Sequence, residues 1–157
     1  MAIGKRIKFF RKKKGLTQKQ LGNMLGFLKS TSDVRMAQYE AEARIPKQNL
    51  IKSMATIFDI APDALTVPNI DNQIKLLHTL FAIEDMYGLK ITTIDRKICL
   101  CLDESDFYLL HMFDVWQEQA EKLELGQITK EQYDEWRYKF PKLDPLLSED
   151  TTLVNKS

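Results

Sequence analysis

The chain has 157 residues, of which 29% are charged and 44% hydrophobic, a composition typical of a soluble protein with one domain or two small ones. No apolar run approaches the ~20 residues that a membrane-spanning helix needs. The opening residues interleave charges with apolar side chains, unlike a signal peptide. The only two cysteines, Cys99 and Cys101, fit a cytoplasmic protein with free thiols.

The net charge of +1 combines two halves of opposite sign. Residues 1–68 carry 13 Lys/Arg and 5 Asp/Glu, whereas residues 69–157 carry 10 Lys/Arg and 17 Asp/Glu. Blocks of opposite net charge predict that only the first half contacts a polyanion and that the acidic half points away from it.

The first predicted helix spans residues 3–14, where Ile3, Ile7 and Phe10 share one face. Most of its other positions are basic, and this pattern has two interpretations: a solvated helix face, or a set of contacts to phosphate groups, which supply affinity through counterion release. We take three of these residues as candidate DNA contacts: Arg6, Arg11 and Lys12.

The next predicted helix begins after Thr17. Thr17 and Gln20 have the spacing of a capping box. An apolar stripe of Leu21, Met24 and Leu25 follows, and Gly26 is placed to end the helix in a left-handed turn.

A third helix is predicted over residues 33–40, with Ser32 or a near neighbour as its cap. Its apolar residues, Met36 and Tyr39, are three positions apart and are expected to face the core, so that Arg35 and Gln38 face outward. A short helix that presents Arg and Gln to solvent after a capped helix is the layout of a DNA-binding helix-turn-helix.

Residues 4–65 resemble the Cro/phage-repressor (XRE-type) helix-turn-helix family over about two-fifths of the chain. The resemblance is carried by the basic first helix, the motif GLTQ, Leu25-Gly26, the helix ending at Glu40, Pro46 and the closing sequence IAPDAL. It implies a five-helix, lambda-repressor-like DNA-binding domain. The connection between Gly26 and the third helix looks a few residues longer than is usual in the family, a change that costs little stability and that affects the angle of the third helix on DNA.

The third helix supplies four candidate contacts. Arg35 can bind guanine or a phosphate, and Gln38 can pair with adenine. Asp33 can accept a hydrogen bond from cytosine or favour the helix N-terminus, and Val34 can contact a thymine methyl group or pack under the turn.

Four further residues are candidates outside this helix. Gln18 matches a family position that binds a DNA phosphate at a helix N-terminus, where unpaired N–H groups favour an anion. Lys19 is its neighbour. Arg44 and Lys47 flank the loop after the third helix and are candidate phosphate clamps. Glu40 matches a family position with a structural role.

The second half contains a predicted helix over residues 70–87 and a β-hairpin over residues 89–102. A long helix capped by Ser105 follows, and then a short helix opened by the capping box of Thr129 and Gln132. The predicted fold is therefore mainly α, with a five-helix DNA-binding domain at 1–66, a small α+β unit at 70–145 with a hairpin between helices, and a flexible tail at 146–157.

These features predict a sequence-specific DNA-binding transcriptional regulator, a repressor that acts as a homodimer on double-stranded DNA. The C-terminal unit would dimerise the chain or respond to a small-molecule or protein effector. The alternative is an antitoxin or adaptor whose helix-turn-helix serves autoregulation. No catalytic motif is recognisable, and neither His78 nor His111 has a ligand spacing, so we expect no enzyme activity, no metal and no cofactor.

Overall fold

The computed structural model describes residues 2–102 and 106–142. It confirms a mainly helical fold with one small antiparallel sheet. None of the helices in the described part is long and apolar enough to cross a membrane. The elements in chain order are α1 (Ile3–Lys13), α2 (Gln18–Met24), α3 (Ser32–Glu40), α4 (Gln48–Phe58), a 3-10 turn (Pro62–Ala64), α5 (Gln73–Tyr87), β1 (Lys90–Ile94), β2 (Lys97–Cys101), α6 (Phe107–Glu124) and α7 (Lys130–Lys139).

The described residues divide into two compact units. The first unit comprises residues 2–69 together with 134–142, and the second comprises residues 70–133. The division therefore falls within α7, whereas the sequence interpretation assigned 70–145 to one domain. The predicted flexible tail at 146–157 lies outside the described residues.

The core of the first unit is built from α1 to α4 and the 3-10 turn. Its fully or nearly buried apolar residues are Ile7, Phe10, Leu21, Met36, Ile51, Met54, Ala55, Phe58, Ile60 and Leu65. Met24, a member of the predicted apolar stripe, is 57% exposed. Leu21 and Leu25, one helical turn apart, lie on the covered side of α2.

Two glycines allow the backbone of helix α3 to approach α1 and α2 very closely. A Cβ atom at Gly22 of α2 would lie 2.5 Å from the carbonyl oxygen of Ser32, and a Cβ atom at Gly4 of α1 would lie 2.5 Å from the carbonyl oxygen of Tyr39. Ser32 is fully buried inside the first turn of α3. The capping position is occupied by its neighbour Thr31, whose side chain makes no capping hydrogen bond.

The end of α7 packs on α1 and on the segment after α4. The ring centroid of Tyr138 lies 4.9 Å from that of Phe10 and 6.1 Å from that of Phe9. The carbonyl of Tyr138 accepts a 2.8 Å hydrogen bond from the N–H of Ala61, and Lys139 Nζ lies 2.7 Å from Asp59 Oδ2. These contacts are the reason that residues 134–142 belong to the first unit.

In the second unit the predicted hairpin is confirmed. Strands β1 and β2 pair antiparallel, with Ile91 opposite Leu100 and Thr93 opposite Ile98. Asp95 and Arg96 form its two-residue turn and both have positive φ, as a type I′ hairpin turn requires.

The helix ends of the second unit are largely as predicted. Gly88 after α5 and Gly126 after α6 are left-handed, and Thr129 and Gln132 form the predicted capping box of α7. The predicted cap Ser105 lies outside the described residues. The Asp106 side chain accepts a hydrogen bond from the N–H of Leu109 and caps α6.

Candidate nucleic-acid interface

The start of α2 is fixed by its own side chains. The N–H of Gln20 donates to Thr17 Oγ1 at 3.1 Å, and the N–H of Thr17 donates to Gln20 Oε1 at 2.8 Å. The predicted capping box is therefore confirmed. Gly26 has a φ of 78° after α2, also as predicted.

A buried network of charged and polar side chains joins α1, α2 and α3. Arg11 Nη2 donates to Glu40 Oε2 at 3.0 Å, and Arg11 Nη1 donates to the carbonyl of Leu16 at 2.7 Å. Gln18 Nε2 donates to the same Glu40 oxygen at 2.9 Å. The hydrogen bond to Glu40 raises the pKa of Arg11 above its ordinary value.

This network engages two predicted phosphate contacts, of which Arg11 is buried and Gln18 is half-buried. Arg11 is only 8% exposed and its donors are directed to Glu40 and Leu16, so its position contradicts a contact to DNA. Gln18 is half-buried and its amide donates to Glu40, so it positions α2 against α3; its contact to a DNA phosphate stays a prediction. Glu40 has the structural position that the sequence resemblance implied.

Arg6 also has an internal role. Its Nε donates to the carbonyl of Ala64, and its guanidinium lies 5.4 Å from the ring centroid of Phe10. Burial lowers the pKa of Arg6 from its ordinary value. Arg6 therefore ties α1 to the 3-10 turn, whereas Lys12 on the same helix is exposed and remains a candidate contact.

The outer face of α3 carries the predicted base-contacting side chains. Asp33, Val34 and Arg35 are exposed and Gln38 is half-buried. Asp33 Oδ1 accepts a 2.9 Å hydrogen bond from the N–H of Val34, a local bond that favours its role at the helix start. Val34 is 54% exposed, so it does not pack under the preceding turn.

A surface depression of about 360 Å³ brings the outer face of α3 together with the following loop. It is lined by Leu28, Thr31, Val34, Arg35, Gln38 and Arg44. Three of the predicted α3 residues and the predicted loop residue Arg44 therefore lie around one open surface.

Phe27 is a supporting residue that the sequence interpretation missed. It lies in the lengthened connection after Gly26, and its ring centroid lies 6.4 Å from that of Tyr39 and 5.0 Å from the Arg35 guanidinium carbon. This ring–cation contact orients Arg35 at the edge of the depression. The sequence signal that could have identified Phe27 is the presence of a large aromatic residue in this connection.

A second, larger depression of about 600 Å³ shares Arg44. It is lined by Tyr39, Arg44, Ile45, Lys47, Asn49, Leu50 and Ser53. Lys47 and Arg44 thus line the same surface, and their role as phosphate clamps stays a prediction. Lys19 is exposed at the start of α2 and lines neither depression.

Neither unit offers an evident metal site in the described part of the chain. No group of three or more His, Cys, Asp or Glu side chains is close enough to hold an ion there. Cys99 and Cys101 are free and half-buried.

The comparisons with known proteins give little guidance. No protein-family model and no curated protein sequence matches the chain. A crystal structure of the transcriptional regulator BswR is similar at 25% sequence identity, covering 55% of this chain and 95% of that one. The TM-score between the two structures is 0.42.

Proposed function

We propose that the chain is a sequence-specific DNA-binding transcriptional regulator, a repressor that acts as a homodimer, with α3 in the major groove. In this proposal the first unit holds the DNA and the second sets the oligomeric state. The chain is then a binding protein and not an enzyme.

The observation that carries the proposal is the division of α3 into a fixed inner face and a free outer face. Met36 and Ser32 are fully buried and Glu40 is held by Arg11 and Gln18, whereas Val34 and Arg35 are exposed. A helix anchored on one side that presents Arg, Gln and an apolar residue on the other has the groups that distinguish guanine, adenine and the thymine methyl.

The charges around α3 support the same proposal. Arg44 lines the depression on the outer face of α3, and Lys47 lines the neighbouring depression that shares Arg44. Lys19 lies exposed at the start of α2, and residues 1–68 carry 13 Lys/Arg against 5 Asp/Glu. Cations placed beside a groove-reading helix fix its register on the phosphate backbone without reading sequence. With Arg11 and Arg6 used internally, we assign phosphate contact to Lys12, Lys19, Arg44 and Lys47.

The decisive experiment is selection of binding sites from random duplex DNA with the full-length chain. We expect an inverted repeat whose half-sites lie about one helical turn, roughly 34 Å, apart, because two-fold proteins read paired half-sites. Enrichment of no sequence, with binding that only falls as salt rises, would contradict base reading by α3.

Variants then separate base contacts from phosphate contacts. Arg35→Ala and Gln38→Ala should each cost about 1–3 kcal/mol at one base pair and relax specificity there, whereas Lys12→Ala should weaken all sequences alike and reduce the salt dependence. Lys75→Ala removes a positive charge from the second unit and is the charge-matched control. Equal losses on selected and random DNA for Gln38→Ala would contradict its placement.

A second candidate function is that of an antitoxin or adaptor that acts through another protein. The observation in its favour is the exposed apolar surface of the second unit, including Phe107 at 82% and Ile98 at 76% exposure. A heterologous protein bound at fixed stoichiometry to the full chain, with no selected DNA sequence, would favour this candidate.

A further inference from the structure

The connection between α2 and α3 is held by its own backbone and carries two large apolar side chains. The N–H of Phe27 donates to the carbonyl of Gly22 at 2.9 Å, and the N–H of Thr31 donates to the carbonyl of Leu28 at 2.9 Å. The first bond fixes the chain as it leaves α2, and the second closes a four-residue turn just before α3. These two bonds therefore fix where the side chains of Phe27 and Leu28 begin.

The two side chains occupy different surroundings. Phe27 is half-buried and packs against the core and Tyr39, and its ring centroid lies 5.0 Å from the guanidinium carbon of Arg35. Leu28 is 76% exposed and lines the depression on the outer face of α3 together with Val34 and Arg35. The connection thus supports a cation from one side and adds an apolar wall beside it.

The chemistry of this depression indicates its occupant. A single exposed leucine is ordinary on a protein surface, but here Leu28 and Val34 are both exposed around one depression that also contains Arg35 and Arg44. Residues 1–68 carry 13 Lys/Arg against 5 Asp/Glu, a balance that favours a polyanion. The fitting occupant therefore combines negative charge, acceptors for an arginine and a small apolar group.

The major groove of DNA offers these groups side by side. Guanine presents two acceptors that one arginine binds together, and thymine presents the methyl group on its C5 atom. 5-Methylcytosine carries the same methyl group at the same ring position. Neighbouring bases of one strand are about 3.4 Å apart along the helix axis, so an apolar wall beside a guanine-bound arginine meets the methyl group of an adjacent base.

We propose that Leu28, Val34 and Arg35 read a 5-methylpyrimidine next to a guanine. Phe27 is the positioning residue of Arg35. This mode of reading rests on the proposed function and extends it in two ways. The connection after Gly26 becomes part of the reading surface, and the methyl group is recognised whichever pyrimidine carries it. Thymine and 5-methylcytosine are then equivalent at this position, and methylation of a cytosine there raises the affinity of the site.

The first test is selection of binding sites by the full-length chain from three pools of random duplex DNA. One pool has ordinary bases, one has deoxyuridine in place of thymidine, which removes only the methyl group, and one has 5-methylcytosine in place of cytosine. We expect a thymine beside a guanine from the first pool, no preferred base at the thymine position from the second, and either thymine or 5-methylcytosine there from the third.

The outcomes of this selection separate the two proposals. A half-site that lacks a 5-methylpyrimidine beside a guanine, or that is unchanged by deoxyuridine, would overturn the reading of a methyl group and leave the proposed function supported. Enrichment of no sequence in any pool would refute both.

The second test measures affinity for the selected half-sites. Loss of one buried methyl group lowers affinity about 4-fold, so deoxyuridine in place of thymidine should weaken binding, and 5-methylcytosine in place of cytosine should strengthen it, by about this factor per half-site. Leu28→Ala should reduce both ratios to about 2-fold or less, since it removes one of the two apolar contacts. Leu125→Ala, which truncates a leucine of the second unit that is 71% exposed, is the matched control and should leave both ratios unchanged. Unchanged ratios in Leu28→Ala would overturn the role of the connection.

The third test concerns Phe27. Phe27→Leu keeps an apolar side chain against the core but removes the ring from Arg35, and it should lower the preference for guanine over adenine beside the methylated base about 2- to 5-fold, the effect of an exposed cation–ring contact. Phe27→Tyr keeps the ring and should retain the preference. A loss of stability alone would weaken binding to both sequences alike, so this ratio isolates the positioning of Arg35. An unchanged ratio in Phe27→Leu would overturn that role.

Discussion

Truncation of Tyr138 tests whether the end of α7 is part of the first unit. The Tyr138 ring contacts Phe9 and Phe10, and Lys13 Nζ lies 4.9 Å from its centroid. Tyr138→Ala removes all three side-chain contacts and keeps the backbone carbonyl that accepts the hydrogen bond from Ala61. The substitution therefore isolates the contribution of the ring.

The size of the effect follows from the partial burial of this ring. Truncating a fully buried aromatic residue costs about 3–5 kcal/mol, and Tyr138 is half-buried. An edge-on aromatic pair contributes roughly 0.5–1.5 kcal/mol beyond the buried area, and an exposed cation over a ring contributes roughly 0.5–1 kcal/mol. We expect a loss of about 2–3 kcal/mol in the free energy of unfolding of the first unit, which lowers its unfolding temperature by roughly 10 °C or more.

The assay uses the two tryptophans, since Trp116 lies in the second unit and Trp136 in the first. In a Trp116→Phe background, the fluorescence of Trp136 reports the first unit alone during urea unfolding. Tyr138→Phe keeps the ring and should stay within about 0.5 kcal/mol of the parent, the usual range for a substitution that alters no packing. If Tyr138→Ala unfolded at the urea concentration of the parent, α7 would not stabilise the first unit and the reasoning would be refuted.

Three further substitutions test the contacts that hold α3, the end of α4 and the start of α2. Glu40→Ala leaves the Arg11 guanidinium buried without its carboxylate and should cost about 3 kcal/mol in urea unfolding, most of which should return in Arg11→Met with Glu40→Leu; no loss in the single variant would contradict the network. The hydrogen bond from Lys139 lowers the pKa of Asp59, so the stabilisation by this pair is present above about pH 4, the ordinary carboxyl pKa, and is lost as the pH falls through the lower pKa of the folded state. The unfolding midpoints of wild type and Asp59→Asn should therefore converge as the pH falls. A difference between the midpoints that stayed constant with pH would show that the ion pair does not cause it. Thr17→Ala removes the cap of α2 and should cost about 1 kcal/mol by the same measurement, whereas an unchanged midpoint would show that the cap is dispensable.

The elements that could be predicted from the sequence are those defined by close neighbours in the chain. The capping boxes at Thr17 and Thr129 depend on residues three positions away, and the hairpin turn at Asp95 depends on two adjacent residues. Each such pattern satisfies its own backbone groups locally. Their structures therefore followed from the sequence without knowledge of the tertiary fold.

The sequence interpretation missed the internal role of Arg11 because the charge of this residue suggested an exposed position. Arg11 lies four residues after Ile7, so helical periodicity places it on the buried face with Ile7. The prediction grouped it with exposed basic residues because its partner, Glu40, lies 29 positions away. Charge alone does not separate a buried ion pair from a phosphate contact.

The position of Tyr138 could not be derived from the sequence either. The aromatic residues of α7 indicate that a face must be covered, but not that the cover is α1, more than a hundred positions earlier. A local pattern gives the apolar face of an element, and the partner of that face is set by long-range packing.

The close approach of α3 to Gly4 and Gly22 has a consequence for how this surface could change during evolution. The residues that fix α3 and the residues that face outward are different side chains on opposite sides of one helix. Exchange of Val34 or Gln38 removes no residue of the buried core, and exchange of Arg35 loses its contact with the Phe27 ring. Substitutions at such surface positions usually alter stability by less than about 0.5 kcal/mol. The outer face of α3 can therefore change in sequence while the buried contacts that fix the helix stay the same.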